Sequence, residues 1–418
     1  MWQKTGLSSC RVLRQGSLTP GARRGRASAA LDAGLNLPSP WPYGSIAGSA
    51  NVGADKVRNS HKCHIRGLRA TSAVRRLGHP HPHSIPLPYK ERHIVVTTCG
   101  ELYKKWRAEG RLGYKHAPYT GAVVPLTYVH TGMDRAEHKE RGERPLVLVF
   151  TGTPGQYRDF SYTIPFLDRH GADVLCFHWP NFSFTEKTRY WWHSSEEKTQ
   201  LAIDFLKELD IKEVDMLVSH SSGAYPAVQL TAEQSDVQVK SLALLMPVTG
   251  SHVSAVRSHP LNLKALDWML RNMYGLSVLK SFIKWVMKLS GHPLKSNMND
   301  VFFTYLSTTS INDTRYEQQL KTLRERRVPM VVMISGTDKL ISTENNRNFL
   351  RKLGHDPDRT WLYDSKGNLI SRGEYGVVKV IEMTKGSHYA FSRHSDVCNQ
   401  ELLELLSRAS LYPKRFRA

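Results

Sequence analysis

Serine, histidine and aspartate acting together can transfer an acyl group. The hydroxyl attacks, the imidazole takes its proton, and the carboxylate holds the imidazole. The serine that best suits this role is Ser221, in Val218-Ser219-His220-Ser221-Ser222-Gly223-Ala224. An apolar run ends just before it and helical spacing begins just after it. A nucleophile elbow, written G-x-S-x-G, belongs at such a junction, because small residues two positions to either side let the backbone crowd through a strained strand-to-helix turn. Gly223 supplies the second small residue and Ser219 stands in for the first. Taken alone, the same pattern describes a serine capping a helix.

The candidate base is His388, in Gly386-Ser387-His388-Tyr389-Ala390-Phe391, directly after the last apolar run. The candidate orienting acid is Asp338, in Ser335-Gly336-Thr337-Asp338-Lys339-Leu340-Ile341, after the run 328–334. An aspartate after glycine is also an ordinary turn residue. Each of the three positions follows a strand-like run, and their agreement outweighs any one of them. An oxyanion site needs two backbone N–H groups. Ser222, next to the nucleophile, offers one. Thr153, in the turn Thr151-Gly152-Thr153-Pro154-Gly155, offers the other, although that turn alone reads as an ordinary Pro-Gly turn.

The elements that must position these groups alternate. Strands are predicted at 93–98, 123–129, 145–150, 173–177, 214–218, 239–246, 328–334 and 377–383. Helices are predicted at 160–169, 195–209, 222–230, 343–353 and 395–408. The run Pro-Leu-Val-Leu-Val-Phe at 145–150 is apolar throughout, as a strand buried on both faces must be. Alternation of this kind implies a mostly parallel sheet covered by helices on both sides. Residues 249–327 interrupt it with helical patterns alone, among them 263–273 and 276–289, and read as an inserted helical cap.

With the motifs in order, the chain resembles the α/β-hydrolases. Thr151-Gly152-Thr153-Pro154-Gly155 with Asp159-Phe160 resembles their H-G-x-P-G-x-x-x-D-F segment. Residues 174–185 (VLCFHWPNFSFT) resemble D-x-P-G-x-G-x-S, 335–341 the acid turn, and 386–391 the histidine turn. Residues 245–259 (LMPVTGSHVSAVRSH) are similar to one branch, the uncharacterised family expanded in nematodes (domain of unknown function 1057). The resemblance spans roughly residues 120–410. It implies an α/β-hydrolase fold with an eight-stranded, mostly parallel sheet and a cap between strands 6 and 7. The order Ser221, Asp338, His388 is the order that fold uses. The chain departs from the family pattern at Thr151 (His in many relatives), His178 (Asp), Asn181 (Gly) and Ser219 (Gly), and its Gly336–Asp338 spacing is one residue short.

Charge and composition narrow the rest. The net charge is +21, but residues 1–90 hold 14 Lys/Arg against only Asp32 and Asp55. The basic balance therefore belongs mainly to that segment, and no zinc-finger or aromatic-basic motif points to nucleic acid. The first fifteen residues resemble a mitochondrial presequence, a disordered basic tail being the competing reading. A mitochondrial or otherwise cytoplasmic location follows. His79, His81 and His83 alternate with prolines, which keep the rings from converging on a metal, and read as linker. The five cysteines are scattered, without the spacing of a disulfide framework or a zinc site. No run is long and apolar enough to span a membrane.

The domains expected are 1–90 (basic segment), 91–248 (core, first part), 249–327 (cap) and 328–418 (core, second part). The leading function is hydrolysis of an ester or thioester of a small or lipid-like acyl group, with no metal and no organic cofactor. A catalytically inactive binding protein and a C–C bond hydrolase stay open beside it. Lys280, Lys284 and Lys288 fall on one face of 276–289, which fits either a solvated cap face or contact with an anionic lipid surface.

Overall fold

The computed structural model describes residues 87–111, 114–134, 144–233, 235–250 and 297–411, with four more between 275 and 281. The expectations for the basic segment up to residue 86, for the helix at 263–273 and for the three lysines of 276–289 lie outside them.

Strands β1 (Arg92–Thr98), β2 (Ala122–His130), β3 (Leu146–Phe150), β4 (Asp173–Phe177), β5 (Glu213–Val214), β6 (Met216–His220), β7 (Gln238–Val239), β8 (Leu242–Leu245), β9 (Met330–Ser335), β10 (Trp361–Tyr363), β11 (Leu369–Ser371) and β12 (Val378–Met383) carry the architecture. Ten of them form one sheet in the order β1-β2-β4-β3-β6-β8-β9-β12-β10-β11, while β5 and β7 pair separately. The centre, from β4 through β10, is parallel, and the β1-β2-β4 and β10-β11 pairings are antiparallel.

Eight strands were expected in the sheet and ten are present among the described residues. The additional pair, β10 and β11, has three residues per strand and turns through Asp364 and Gly367. Runs that short carry no readable periodicity. Two predicted strands are each divided in two. At Asp215 the side chain turns aside to accept the N–H of Leu146 at 2.8 Å and to pair with Lys240 at 2.7 Å, which separates β5 from β6.

The helices are α1 (Gly100–Ala108), α2 (Thr163–Arg169), α3 (Ser195–Glu208), α4 (Ala224–Ala232), α5 (Met298–Thr309), α6 (Asp313–Glu325), α7 (Thr343–Lys352), α8 (Ala390–Arg393) and α9 (Ser395–Leu411). Period-two alternation in the central strands sends neighbouring side chains into two separate cores. Leu148, Phe150, Leu217, Leu244 and Val332 join the core lined by α1, α3, α4, α5, α6 and α7. Val147, Val149, Val218, Leu245 and Met333 join the one beneath α2, α8 and α9. Within the segment expected as cap, α6 packs on α4, with Tyr316 edge-on to Tyr225 at 5.2 Å. No helix among the described residues is long and apolar enough to cross a membrane.

The start of α3 is fixed by a capping box. Ser194 Oγ accepts the N–H of Glu197 at 3.1 Å, and the Glu197 carboxylate accepts the N–H of Ser194 at 2.9 Å.

Candidate active site

Parallel strands deliver their following turns to one edge of the sheet, where open α/β sheets build their sites. Strands β3, β6, β9 and β12 end at Phe150, His220, Ser335 and Met383, and the five predicted site residues lie in the turns that follow. Ser221 has φ of 53°, a left-handed conformation that costs a non-glycine residue energy and that tertiary packing must maintain. The packing is visible at Gly223. A Cβ there would stand 2.7 Å from the carbonyl oxygen of Thr151 and 3.0 Å from that of Phe150, so only glycine lets the elbow close on β3.

His388 bridges the other two groups. Its Nε2 lies 2.7 Å from Ser221 Oγ and its Nδ1 lies 2.7 Å from Asp338 Oδ2. With Asp338 ionised, Nδ1 carries the proton and donates it to the carboxylate, which leaves Nε2 to accept from the serine hydroxyl. The other carboxylate oxygen accepts the N–H groups of Leu340 at 2.8 Å and Ile341 at 3.3 Å. Burial pushes the Asp338 carboxyl up. The hydrogen bond and charge of His388, with the two backbone donors, more than offset this and hold it below its ordinary value.

The turns are tied to one another. Thr337 Oγ1 donates to the carbonyl of Gly386 at 2.7 Å and accepts its N–H at 3.0 Å. Ser335 Oγ donates to the same carbonyl at 2.6 Å. These bonds join the acid turn to the histidine turn despite the shorter Gly336–Asp338 spacing. His220 contributes a second brace, its Nε2 lying 3.0 Å from the carbonyl oxygen of His388. Burial, aided by the neighbouring His388, pulls the His220 pKa down to about 3, so the ring is neutral and Nε2–H is the donor. Sequence reasoning missed Thr337, Ser335 and His220 as positioning groups. Proximity to the motifs was the one available signal.

Thr153 and Ser222, the two expected oxyanion donors, are also brought together. Their hydroxyl oxygens are 2.6 Å apart, and both residues are buried. A Cβ on Gly152 would stand 3.0 Å from Ser221 Cβ, so the turn after β3 lies directly against Ser221.

The departures from the family pattern are accommodated locally. Asn181 has φ of 69°, a conformation asparagine tolerates better than most residues, and its side chain bonds the backbone of Thr188 on both sides. Thr151 presents its carbonyl oxygen to the indole N–H of Trp179 at 3.0 Å. His178 stacks on Tyr157 with ring centroids 4.6 Å apart and accepts the Tyr157 N–H at 3.3 Å. Burial pulls its pKa down to about 4 against the opposing pull of Glu91 and Asp159, so it is neutral and can accept. Ser219 is fully buried beneath the elbow.

The model of the family "Alpha/beta hydrolase of unknown function (DUF1057)" matches residues 136–374, more than half of the chain. The chain belongs to the DUF1057 α/β-hydrolases. The matched span of this DUF1057 chain holds Ser221 and Asp338 and ends before His388. A curated relative, the uncharacterized protein F35H12.5 of Caenorhabditis elegans, is 25% identical over 92 residues, covering 22% of this chain. The chain thus matches about a quarter (26%) of that relative's length. Solved structures resembling it include a bromoperoxidase from Bacillus anthracis, with 14% identity over 68% of this chain and 96% of that one and a TM-score of 0.44. An enol-lactonase from Burkholderia xenovorans LB400 is 12% identical over 68% of this chain and 97% of that one, with a TM-score of 0.45. The carboxylesterase CesB from Bacillus subtilis is 11% identical over 76% and 92%, with a TM-score of 0.43.

Proposed function

We propose that the chain is a serine hydrolase that cleaves a carboxylic ester or thioester through an acyl-enzyme on Ser221. The observation that carries this reading is the unbroken hydrogen-bonded chain Ser221–His388–Asp338, with both links at 2.7 Å. A serine strained at a strand end and already hydrogen-bonded to an imidazole is arranged for proton transfer during attack.

Ser221 Oγ attacks the carbonyl carbon while His388 Nε2 takes the hydroxyl proton. Asp338 holds the ring and stabilises the imidazolium that forms. The N–H groups of Thr153 and Ser222 receive the oxyanion. The tetrahedral species collapses, the carbon–oxygen or carbon–sulfur bond breaks, and His388 returns the proton to the leaving group. Water then attacks the acyl-enzyme with His388 again as base, releasing the acid and restoring Ser221.

The inactive binding-protein reading draws its support from the departures at Thr151, His178 and Ser219. Each is absorbed without parting Ser221, His388 and Asp338, which favours the enzyme. A C–C bond hydrolase would use the same three residues, and the substrate separates the two. Hydrolysis of p-nitrophenyl butyrate and of a butyryl thioester is the test. Ser221→Ala should lower kcat by roughly 10³-fold or more. Equal rates for wild type and Ser221→Ala would end the proposal.

A further inference from the structure

Behind the turn after β3 lies a buried lysine that forms no ion pair among the described residues. Lys198, in the first turn of α3, is 1% exposed, and its ammonium donates to the hydroxyl of Ser307 on α5. It stands over the ring of Trp179 at 5.2 Å. No carboxylate among the described residues pairs with it. The adjacent Glu197 directs its carboxylate elsewhere, to the hydroxyls of Tyr103 and Tyr114 and the N–H groups of Trp192 and Ser194. Close by, His193 is fully buried against Phe182 and Phe303, with ring centroids at 4.9 and 4.8 Å, and neither of its ring nitrogens has a hydrogen-bond partner among the described residues. Burial pulls the Lys198 pKa from 10.5 to about 7, and burial together with Lys198 pulls that of His193 down.

A cation and an unsatisfied imidazole enclosed by aromatic rings are costly to the fold unless something negative arrives. Proteins retain such groups where a ligand completes them. The cluster also adjoins the chemistry. The indole that carries Lys198 donates to the carbonyl of Thr151, and the next residue, Gly152, lies against Ser221.

We propose that Lys198, with Ser307 and His193, binds a carboxylate carried by the substrate, so that the ester or thioester cleaved is one bearing an acid group at its far end. The assignment rests on the serine-hydrolase reading above. One cation and one neutral ring match a single negative charge. A phosphate dianion would leave charge uncompensated within an aromatic shell.

The test compares mono-p-nitrophenyl adipate with p-nitrophenyl hexanoate, which have the same acyl length and differ in the terminal carboxylate. Wild type should show the lower KM for the adipate monoester. Lys198→Met should raise the ratio of the two KM values by about 10- to 100-fold, as expected for the loss of a charge-assisted hydrogen bond, with the kcat ratio little changed. His193→Phe, which keeps an aromatic ring in the shell, should raise it less. An equal shift for both esters would mark Lys198 as structural and overturn the proposal. So would a wild type with no preference. A second readout is independent of turnover: the binding of succinate, adipate and suberate to Ser221→Ala by calorimetry. Binding of a diacid that is lost in Ser221→Ala/Lys198→Met supports the carboxylate site even if neither ester is hydrolysed, in which case only the hydrolase reading fails. Absence of binding by all three diacids overturns the site.

Discussion

The turns after β6, β9 and β12 and the cluster between α3 and α5 are both buried and both polar, yet they are wired in opposite ways. In the first, every group of the chain Ser221–His388–Asp338 has a partner, and the backbone beneath is braced by Thr337, Ser335 and His220. In the second, among the described residues, Lys198 has a neutral hydroxyl where a carboxylate would be expected and the ring nitrogens of His193 have no hydrogen bond. A closed network prepares a site for charge that develops during a reaction, since its dipoles are fixed beforehand. An open one is completed only by charge brought in from outside. On the proposed reading, the first region carries the chemistry and the second the recognition.

Asp338→Asn strikes the closed network and should have the largest effect. An amide at this position can favour the wrong imidazole tautomer and no longer stabilises the imidazolium, so kcat should fall by roughly 10³- to 10⁴-fold. If the comparison is right, that loss is shared by the adipate and hexanoate monoesters and their KM ratio is preserved. A ratio that collapsed along with kcat would mean the two regions are not separable.

Lowering the pH should weaken the fold through the neutral buried rings. His178 and His220 have native pKa values of about 4 and about 3, both below the ordinary 6.5. Below pH 6.5 the unfolded chain binds protons that the native rings refuse, so stability is full above that pH and is lost as pH falls toward those native values. Each ring should cost about 2 kcal/mol by pH 5. The pH dependence of the urea midpoint measures this, and His178→Phe should flatten it. A midpoint independent of pH between 7 and 5 would contradict the burial assigned to the rings.

Thr337→Val is the mildest intervention. It removes the hydroxyl that both donates to and accepts from Gly386, so the acid and histidine turns should lose their register. A kcat decrease of about tenfold, with KM nearly constant, follows if the clamp costs about 1.4 kcal/mol of transition-state stabilisation. Thr337→Ser should restore most of it. A rise in KM alone would place Thr337 in substrate binding instead.

Much of this was legible in the sequence, and the reasons are local. Ser221, Asp338 and His388 each follow an apolar run, and the parallel sheet then brings the ends of those runs to one edge. Helix α3 was visible from the helical spacing of Leu201, Phe205 and Leu206. Lys198 on the same helix was not, because a lysine in an amphipathic pattern reads as solvent-facing. Its burial arises from Ser307, more than a hundred positions along the chain, and from Trp179. The Thr337 clamp was equally hidden, since a hydroxyl bonded to a distant backbone leaves no periodic trace. The hairpin β10–β11 was too short for alternation to register.

The central claim is an activated Ser221, and a fluorophosphonate addresses it most directly, because it phosphonylates a serine whose proton an adjacent base can take. Wild-type protein should take up one label, located by mass spectrometry on the peptide carrying Ser221, and both Ser221→Ala and His388→Ala should take up none. A folded wild type that stays unlabelled, or label that persists in Ser221→Ala, would contradict the account.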